Sequence, residues 1–341
     1  MSKDELLSVE GLTVELATAA GWVRPVNEVS LRIAAGESLG LVGESGSGKT
    51  MLSLALMGLL PEGAKVAGKA WLENGQDTNG GFAGKVDLTR LSEEEWQRAR
   101  GREIAMIFQE PMTSLNPVMR VGAQIEEAVR AHEAELPKRE VRKHMLDALE
   151  KAAVPEPETR ADQYPHQLSG GLRQRVMIAM ALAGGHSREK GKVSGPRLLI
   201  ADEPTTALDA TVQKQILDLL DTLRRELGLG LLFITHDLGV AAQISNRVAV
   251  MYAGRIVEEG PASDVLQAPR HPYTQGLLAA SPKLERAKLK PIPGTVPQLT
   301  ALPPGCAFEP RCGVRLEECT AVVPDLRAAG KDHAARCVLV K

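Results

Sequence analysis

Gly43-Glu44-Ser45-Gly46-Ser47-Gly48-Lys49-Thr50 is the stretch on which the fold turns. It follows a nearly all-apolar run at residues 38–42 and precedes residues 50–60, whose pattern reads as a helix stopped by Pro61. A G-x-x-x-x-G-K-T loop between a buried strand and a helix lets backbone N–H groups approach phosphate oxygens at the positive end of that helix. In this arrangement residues 43–48 form the cradle, Lys49 reaches the β- and γ-phosphates, and Thr50 offers its hydroxyl to Mg²⁺. A glycine-rich loop can match the pattern by accident, but the flanking elements give this one its context. Alone, it fits a kinase, a GTPase or any other P-loop enzyme.

Outward from the loop, residues 7–16 and 26–33 alternate apolar and polar, as two strands of a half-exposed sheet would. Residues 74–84 are rich in Gly, Asn and Asp and predict an exposed loop. Residues 119–150 have helical spacing with many charges until Pro155 and Pro157 break it, which suggests a helical insert. Residues 172–183 form a second helical pattern, and the polar stretch 184–195 reads as a surface loop. Short buried runs at 198–201 and 231–235 flank a helix that places Val212, Ile216, Leu219, Leu220 and Leu223 on one face. Strands alternating with helices imply parallel pairing, and 247–251 with 255–258 read as a hairpin through Ala253-Gly254. The expected class is α/β, a P-loop NTPase fold with a mixed sheet, a helical subdomain at about 115–185 and a small C-terminal extension. Proline content rises after Ser263, so the boundary is placed between an ATPase-type domain, 1–262, and an extension, 263–341.

The run Leu198-Leu199-Ile200-Ala201-Asp202-Glu203 ends a buried strand in two carboxylates, which can divide their work between metal and water. Asp202 is assigned to Mg²⁺ and Glu203 to the general base that orients the attacking water. Leu168-Ser169-Gly170-Gly171-Leu172-Arg173-Gln174 again places a glycine pair and a hydroxyl at a helix start. Ser169 by itself is also an ordinary helix cap.

In full, and between a P-loop and an acidic strand, the run 168–174 resembles the signature motif of ABC ATPases. The resemblance implies that Ser169, Gly170, Gly171 and Gln174 complete the ATP site of an opposite subunit, with two nucleotides sandwiched between two ATPase chains. It further implies that Gln109 is the Q-loop glutamine sensing metal and γ-phosphate. Ala207-Leu208-Asp209 would be the D-loop, and His236 the switch histidine. Leu16 stands where the family stacks adenine on an aromatic residue; Trp22 is close in sequence, although a turn tryptophan more ordinarily packs on its own domain.

Residues 108–117, Phe-Gln-Glu-Pro-Met-Thr-Ser-Leu-Asn-Pro, and the segment His271-Pro272-Tyr273 narrow the resemblance to the ATPase subunits of bacterial dipeptide and oligopeptide importers. His-Pro-Tyr reads as a turn entering a helix, a marker without chemistry of its own. The resemblance implies a second ATPase chain, two transmembrane permease subunits, an extracytoplasmic solute-binding protein, and a peripheral position on the cytoplasmic face of the inner membrane. Nickel and glutathione importers use similar ATPases.

All four cysteines, Cys306, Cys312, Cys319 and Cys337, lie in the extension, at intervals wider than the two to four residues usual for paired zinc ligands. Importer tails of this kind include examples with a [4Fe–4S] cluster on four cysteines, and the resemblance extends to that ligand set. Zinc, free thiols or disulfides are the alternatives. Arg311, Arg315 and Arg336 are candidates to offset thiolate charge.

Composition narrows the rest. A net charge of -2 with 25% charged residues gives no basic face for nucleic acid. The longest apolar stretch, residues 51–60, is about half of the roughly 20 residues a membrane span requires. The N-terminus lacks the order of a secretory signal, so the cytoplasm is the expected compartment. Competing readings are an ABC ATPase acting on nucleic acid or ribosomes, an export motor, and a redox regulator built on the tail.

Overall fold

Apolar continuity separates the central strands from the outer ones. In the computed structural model, which describes residues 5–74, 84–185, 195–206, 208–280 and 291–340, the strands after which the loop and the paired carboxylates emerge are buried throughout. In chain order the strands are β1 (Glu5–Thr18), β2 (Gly21–Ala34), β3 (Ser38–Val42), β4 (Lys65–Asn74), β5 (Gly84–Asp87), β6 (Ile104–Ile107), β7 (Leu198–Asp202), β8 (Gly230–Thr235), β9 (Arg247–Tyr252), β10 (Arg255–Pro261), β11 (Arg327–Gly330) and β12 (His333–Ala335). The α-helices are α1 (Lys49–Leu56), α2 (Glu93–Ala99), α3 (Pro111–Ser114), α4 (Val121–His132), α5 (Lys138–Lys151), α6 (Pro157–Ala161), α7 (Gly170–Ala183), α8 (Ala210–Leu227), α9 (Leu238–Ile244), α10 (Ala262–Gln267) and α11 (Pro272–Ala280). The loops anticipated at 74–84 and 184–195 fall almost entirely outside the described residues, as does Ala207.

The chain divides into two compact units. The first comprises Met1–Leu7, Ile33–Glu37 and Trp71–Leu232. In it β6 and β7 pair in parallel, Ile104 opposite Leu198, and β4 and β5 pair antiparallel. Helices α4, α5 and α7 pack on one another. Their apolar positions repeat at helical spacing, Val121, Ile125 and Val129 on α4 and Val141, Met145, Ala148 and Leu149 on α5, and these are the buried residues. The mostly helical insert expected over 119–150 consists of two helices, broken before Pro137, whose ring presets the backbone at the start of α5. On α8 the buried face is Ile216, Leu217, Leu220 and Leu223; Val212 and Leu219, expected there, are only half-buried.

The second unit comprises Ser8–Arg32, Ser38–Ala70 and Phe233–Lys341. Here β3 pairs in parallel with β9, and β9 turns through Ala253 and Gly254 into antiparallel β10, so the sheet is mixed. The far edge of β10 is covered by β12, Glu258 opposite Ala335, and β12 carries β11. The cysteine-rich tail thus contributes strands to the same sheet as the hairpin. Helix α1 stops at Leu56, earlier than the Pro61 signal: Gly58 takes φ 63°, and the Leu59 and Gly58 amides donate to Leu54 and Ala55 carbonyls in a Schellman closure. The core between β9, α9, α11 and the tail centres on Tyr252, Tyr273 and Phe308. Phe308 meets Tyr252 edge-on at 5.3 Å between centroids and Tyr273 at 5.4 Å.

Candidate nucleotide site

In the second unit the loop 43–50 leaves β3 and enters α1 at Lys49. Gly48 sits at φ 108°, and a Cβ there would overlap the Pro25 carbonyl, so only glycine fits. Lys49 is 5% exposed; its ammonium donates to the Gly43 carbonyl at 2.7 Å, the Glu44 carbonyl at 3.0 Å and Ser47 Oγ at 3.4 Å. The lysine thereby braces the loop while its charge stays within it. No side chain caps the first turn of α1, and Ser45, Gly46 and Thr50 are exposed. A glycine cradle, an uncapped helix start and a buried ammonium suit a polyphosphate.

Glu44 carries contacts that the sequence did not announce. Its amide donates to the Tyr273 hydroxyl at 2.8 Å. Its carboxylate is held bidentately by Arg311, Nη1 to Oε2 at 2.7 Å and Nη2 to Oε1 at 3.0 Å. Arg311 also donates to the Pro293 carbonyl at 3.0 Å and the Tyr252 hydroxyl at 3.3 Å. The hydrogen bonds to Glu44 hold the guanidinium still more firmly protonated than usual, and burial drives the Tyr273 phenol well above its ordinary range. The His-Pro-Tyr segment, expected to carry no chemistry, supplies a direct partner to the loop. Its histidine is buried and neutral: burial lowers His271 to about 3, and Nδ1 accepts the Tyr273 amide at 3.0 Å. His236 follows β8 and is exposed, between Thr235 and Asp237, which caps α9 through the Gly239 and Val240 amides.

In the first unit β7 ends at Asp202, 1% exposed, a buried charge of the kind that a divalent cation offsets. Glu203 follows in a left-handed backbone, φ 46°, costly for a non-glycine residue and concentrated at functional sites. Its Oε2 accepts from Thr206 Oγ1 at 2.9 Å and from Gln109 Nε2 at 3.3 Å. The structure therefore brings two of the assigned residues, Gln109 and Glu203, onto one carboxylate oxygen and adds Thr206, whose hydroxyl three positions on was the overlooked signal.

The signature run behaves as a helix start. Ser169 caps α7, accepting from the Leu172 amide at 3.4 Å, and Ser169 and Gly170 are exposed. Gly171 lets the end of α7 meet α8: a Cβ there would come within 2.7 Å of Val212 Cγ1. Gln174 is buried, and its amide nitrogen has no partner among the described residues. Asp209 caps α8 through the Thr211 and Val212 amides, each at 3.0 Å. Thus the loop 43–50 and His236 belong to the second unit, and Gln109, Ser169, Asp202, Glu203 and Asp209 to the first.

Trp22 is 50% exposed with the Lys65 ammonium 4.0 Å from the ring centre, rather than packed into its own domain.

Cys306, Cys312, Cys319 and Cys337 are all free and line one small cavity with Phe308, Pro324 and Val338. Burial raises the Cys306, Cys312 and Cys337 thiols, and charge on the neighbouring cysteines raises them further. Among the described residues no group of three or more His, Cys, Asp or Glu is set to hold a metal ion. Of the three arginines considered as counter-charges, Arg311 is committed to Glu44 and Arg336 donates to the Ile256 and Pro324 carbonyls. The charge of Arg315, paired with Glu309, opposes part of the rise that burial imposes on Cys312.

Residues 26–206, over half of the chain, match the family model described as ABC transporter. The chain belongs to the ABC transporter family. Residues 257–319 of this ABC protein match a second model, the oligopeptide/dipeptide transporter C-terminal region. A putative peptide import ATP-binding protein of Brucella melitensis is 48% identical over 99% of this chain and 98% of its own length. The dipeptide transport ATP-binding protein DppD of Bacillus subtilis is 44% identical over 98% and 95%. Among solved structures, the ATP-binding cassette MJ0796 in a dimeric post-hydrolysis state bound to ADP and Pi has a TM-score of 0.61 and 27% identity, over 75% of this chain and 99% of that one. The cbiO1 protein of Clostridium perfringens, part of a cbiONQ ABC transporter complex, has a TM-score of 0.61 and 26% identity, over 78% and 92%. An ABC cassette hydrolyses ATP with Mg²⁺. Among the described residues no helix is long and apolar enough to cross a membrane.

Proposed function

We propose that this chain is the ATP-hydrolysing motor subunit of an ABC importer for dipeptides, oligopeptides or related small solutes. The observation that carries the reading is identity of 48% and 44% to peptide-transport ATP-binding proteins along essentially the whole chain, the cysteine-bearing tail included. As an ABC ATPase of this type it works as a dimer with permease subunits and associates peripherally with the membrane. We infer further that the dimer partner is a second, different ATPase chain, that an extracytoplasmic binding protein delivers the solute, and that the chain sits on the cytoplasmic face. Residues 1–262 act as the ATPase domain, with the helical subdomain at about 115–185, and 263–341 as the importer extension.

Each assigned residue then has a task. The loop 43–50 binds the triphosphate and Lys49 places positive charge beside it. Mg²⁺, held by Thr50, Asp202 and Gln109, would neutralise charge on the phosphate oxygens. Glu203 accepts a proton from the water that attacks the γ-phosphorus, the bond to the β–γ bridging oxygen breaks, and ADP and phosphate leave. Thr206 and Gln109 hold the carboxylate oxygen meanwhile. Ser169, Gly170, Gly171, Gln174 and Asp209 serve the facing chain, and His236 contacts the γ-phosphate. Glu203→Gln should lower kcat by about 100-fold or more while ATP binding survives. ATP turnover measured with solute uptake tests this; uptake that persisted in cells lacking any other copy would sink the motor reading.

For the tail the reading is a [4Fe–4S] cluster on Cys306, Cys312, Cys319 and Cys337, which would supply a folding staple or a redox centre. Four free thiols on one cavity, Cys319 and Cys337 buried and Cys306 and Cys312 half-buried, support it, since a cubane takes four thiolates around a body larger than one ion. Anaerobically purified protein should be brown with iron and sulfide; a colourless preparation with stoichiometric zinc would overturn the cluster.

A further inference from the structure

The loop that must receive an anion carries an anion of its own. Glu44 lies second in the run 43–50, and an uncompensated carboxylate there would repel a polyphosphate within a few ångströms. Arg311 covers both of its oxygens at 2.7 and 3.0 Å, from a guanidinium 4% exposed onto a carboxylate 28% exposed, so the pair is only partly screened. The guanidinium is itself fixed by the Pro293 carbonyl and the Tyr252 hydroxyl. Tyr273 adds a second hold by accepting the Glu44 amide. Both side chains come from beyond the hairpin, and Arg311 immediately precedes Cys312 at the end of a short helical turn in which the Cys312 amide donates to the Glu309 carbonyl at 3.1 Å. A change at Cys312 therefore reaches the guanidinium through one residue of tightly turned backbone.

We propose that Arg311 and Tyr273 are positioning residues for the phosphate loop, and that through them the four-cysteine tail sets the affinity of this chain for ATP. The proposal rests on the reading of 43–50 as the phosphate loop and assigns the tail an influence on that site. Arg311 removes the net charge of Glu44, and Tyr273 takes the Glu44 amide out of the set offered to phosphate.

The test uses the full chain in a Glu203→Gln background, with equilibrium binding of ATP and Mg²⁺ as readout and the melting temperature of the nucleotide-free chain as a check on folding. Arg311→Ala should weaken ATP about tenfold, and Arg311→Lys about threefold because an ammonium cannot fork onto both oxygens. Arg311→Ala combined with Glu44→Gln should return to within about threefold of the parent, since the charge left exposed is then gone. Cys312→Ser should weaken ATP in the same direction by about twofold or more. A folded Arg311→Ala chain with unchanged affinity, or a double variant no better than Arg311→Ala, overturns the positioning role. Unchanged affinity in Cys312→Ser overturns control by the tail. Should Arg311→Ala fail to fold, Arg311→Lys with and without Glu44→Gln makes the same comparison. A parent that binds no ATP overturns the ATPase reading along with the positioning role, whereas one that binds ATP and ignores Arg311 overturns the positioning role alone.

Discussion

The phosphate loop and the acidic end of β7 solve different problems with the same side chain, a glutamate. Glu44 is locked by a buried guanidinium fork at 2.7 and 3.0 Å, while the bonds to Glu203 Oε2 include neutral donors, the Thr206 hydroxyl at 2.9 Å and the Gln109 amide at 3.3 Å, from a left-handed backbone. Charge-assisted bidentate bonds are about twice as strong as neutral ones and fix geometry. The loop is accordingly built before its ligand arrives, whereas Glu203 keeps a partner set that water can displace.

The largest break of this contrast is Lys49→Ala. It removes three internal braces and the only buried ammonium of the loop, so ATP affinity should fall about 100-fold or more, measured by nucleotide binding. Next comes pH. His271, whose ring Nδ1 accepts the Tyr273 amide, has a folded value of about 3 against 6.5. Its folded value is depressed, so the unfolded chain takes up a proton first as pH falls below 6.5. Stability should drop by up to about 1.4 kcal/mol per pH unit between 6.5 and 3, and His271→Asn should flatten that slope in urea titrations. The smallest effect sharpens the other half: Thr206→Val removes one neutral bond to Glu203 and should lower kcat about threefold with KM for ATP unchanged.

Much of the architecture was legible because apolar runs and glycine loops are local signals. Residues 38–50 carry strand, turn and helix start together, 168–174 a cap and a helix start, and 198–203 a strand and the turn that ends it. What stayed hidden is what depends on distant pairing. Nothing near Glu44 in the chain points to Arg311, 267 residues away, and nothing at Tyr273 shows that its hydroxyl meets a loop amide 229 residues earlier. Thr206 was missed for a humbler reason, being one threonine after a motif already assigned. Arg311 and Arg336 were misjudged as partners of the cysteines because sequence proximity says nothing of which way a long side chain turns, whereas Arg315 does face Cys312. Helix ends also slipped: the glycine at 58 closes α1 before the proline that seemed to stop it.

The pairing of β12 on β10 has a consequence for the chain as a material. Glu258, fully buried, is satisfied from outside its own strand by the Arg270 and His271 amides and by His333 on β12. A chain cut after residue 262 would keep β10 but lose that cover, leaving a row of open amides and carbonyls beside a stranded carboxylate. Such an edge templates other chains. The last strands are short, four and three residues, and β11 opens on Arg327; they end the sheet bluntly. The tail is in this sense a terminator, keeping one molecule's sheet from becoming the first layer of the next.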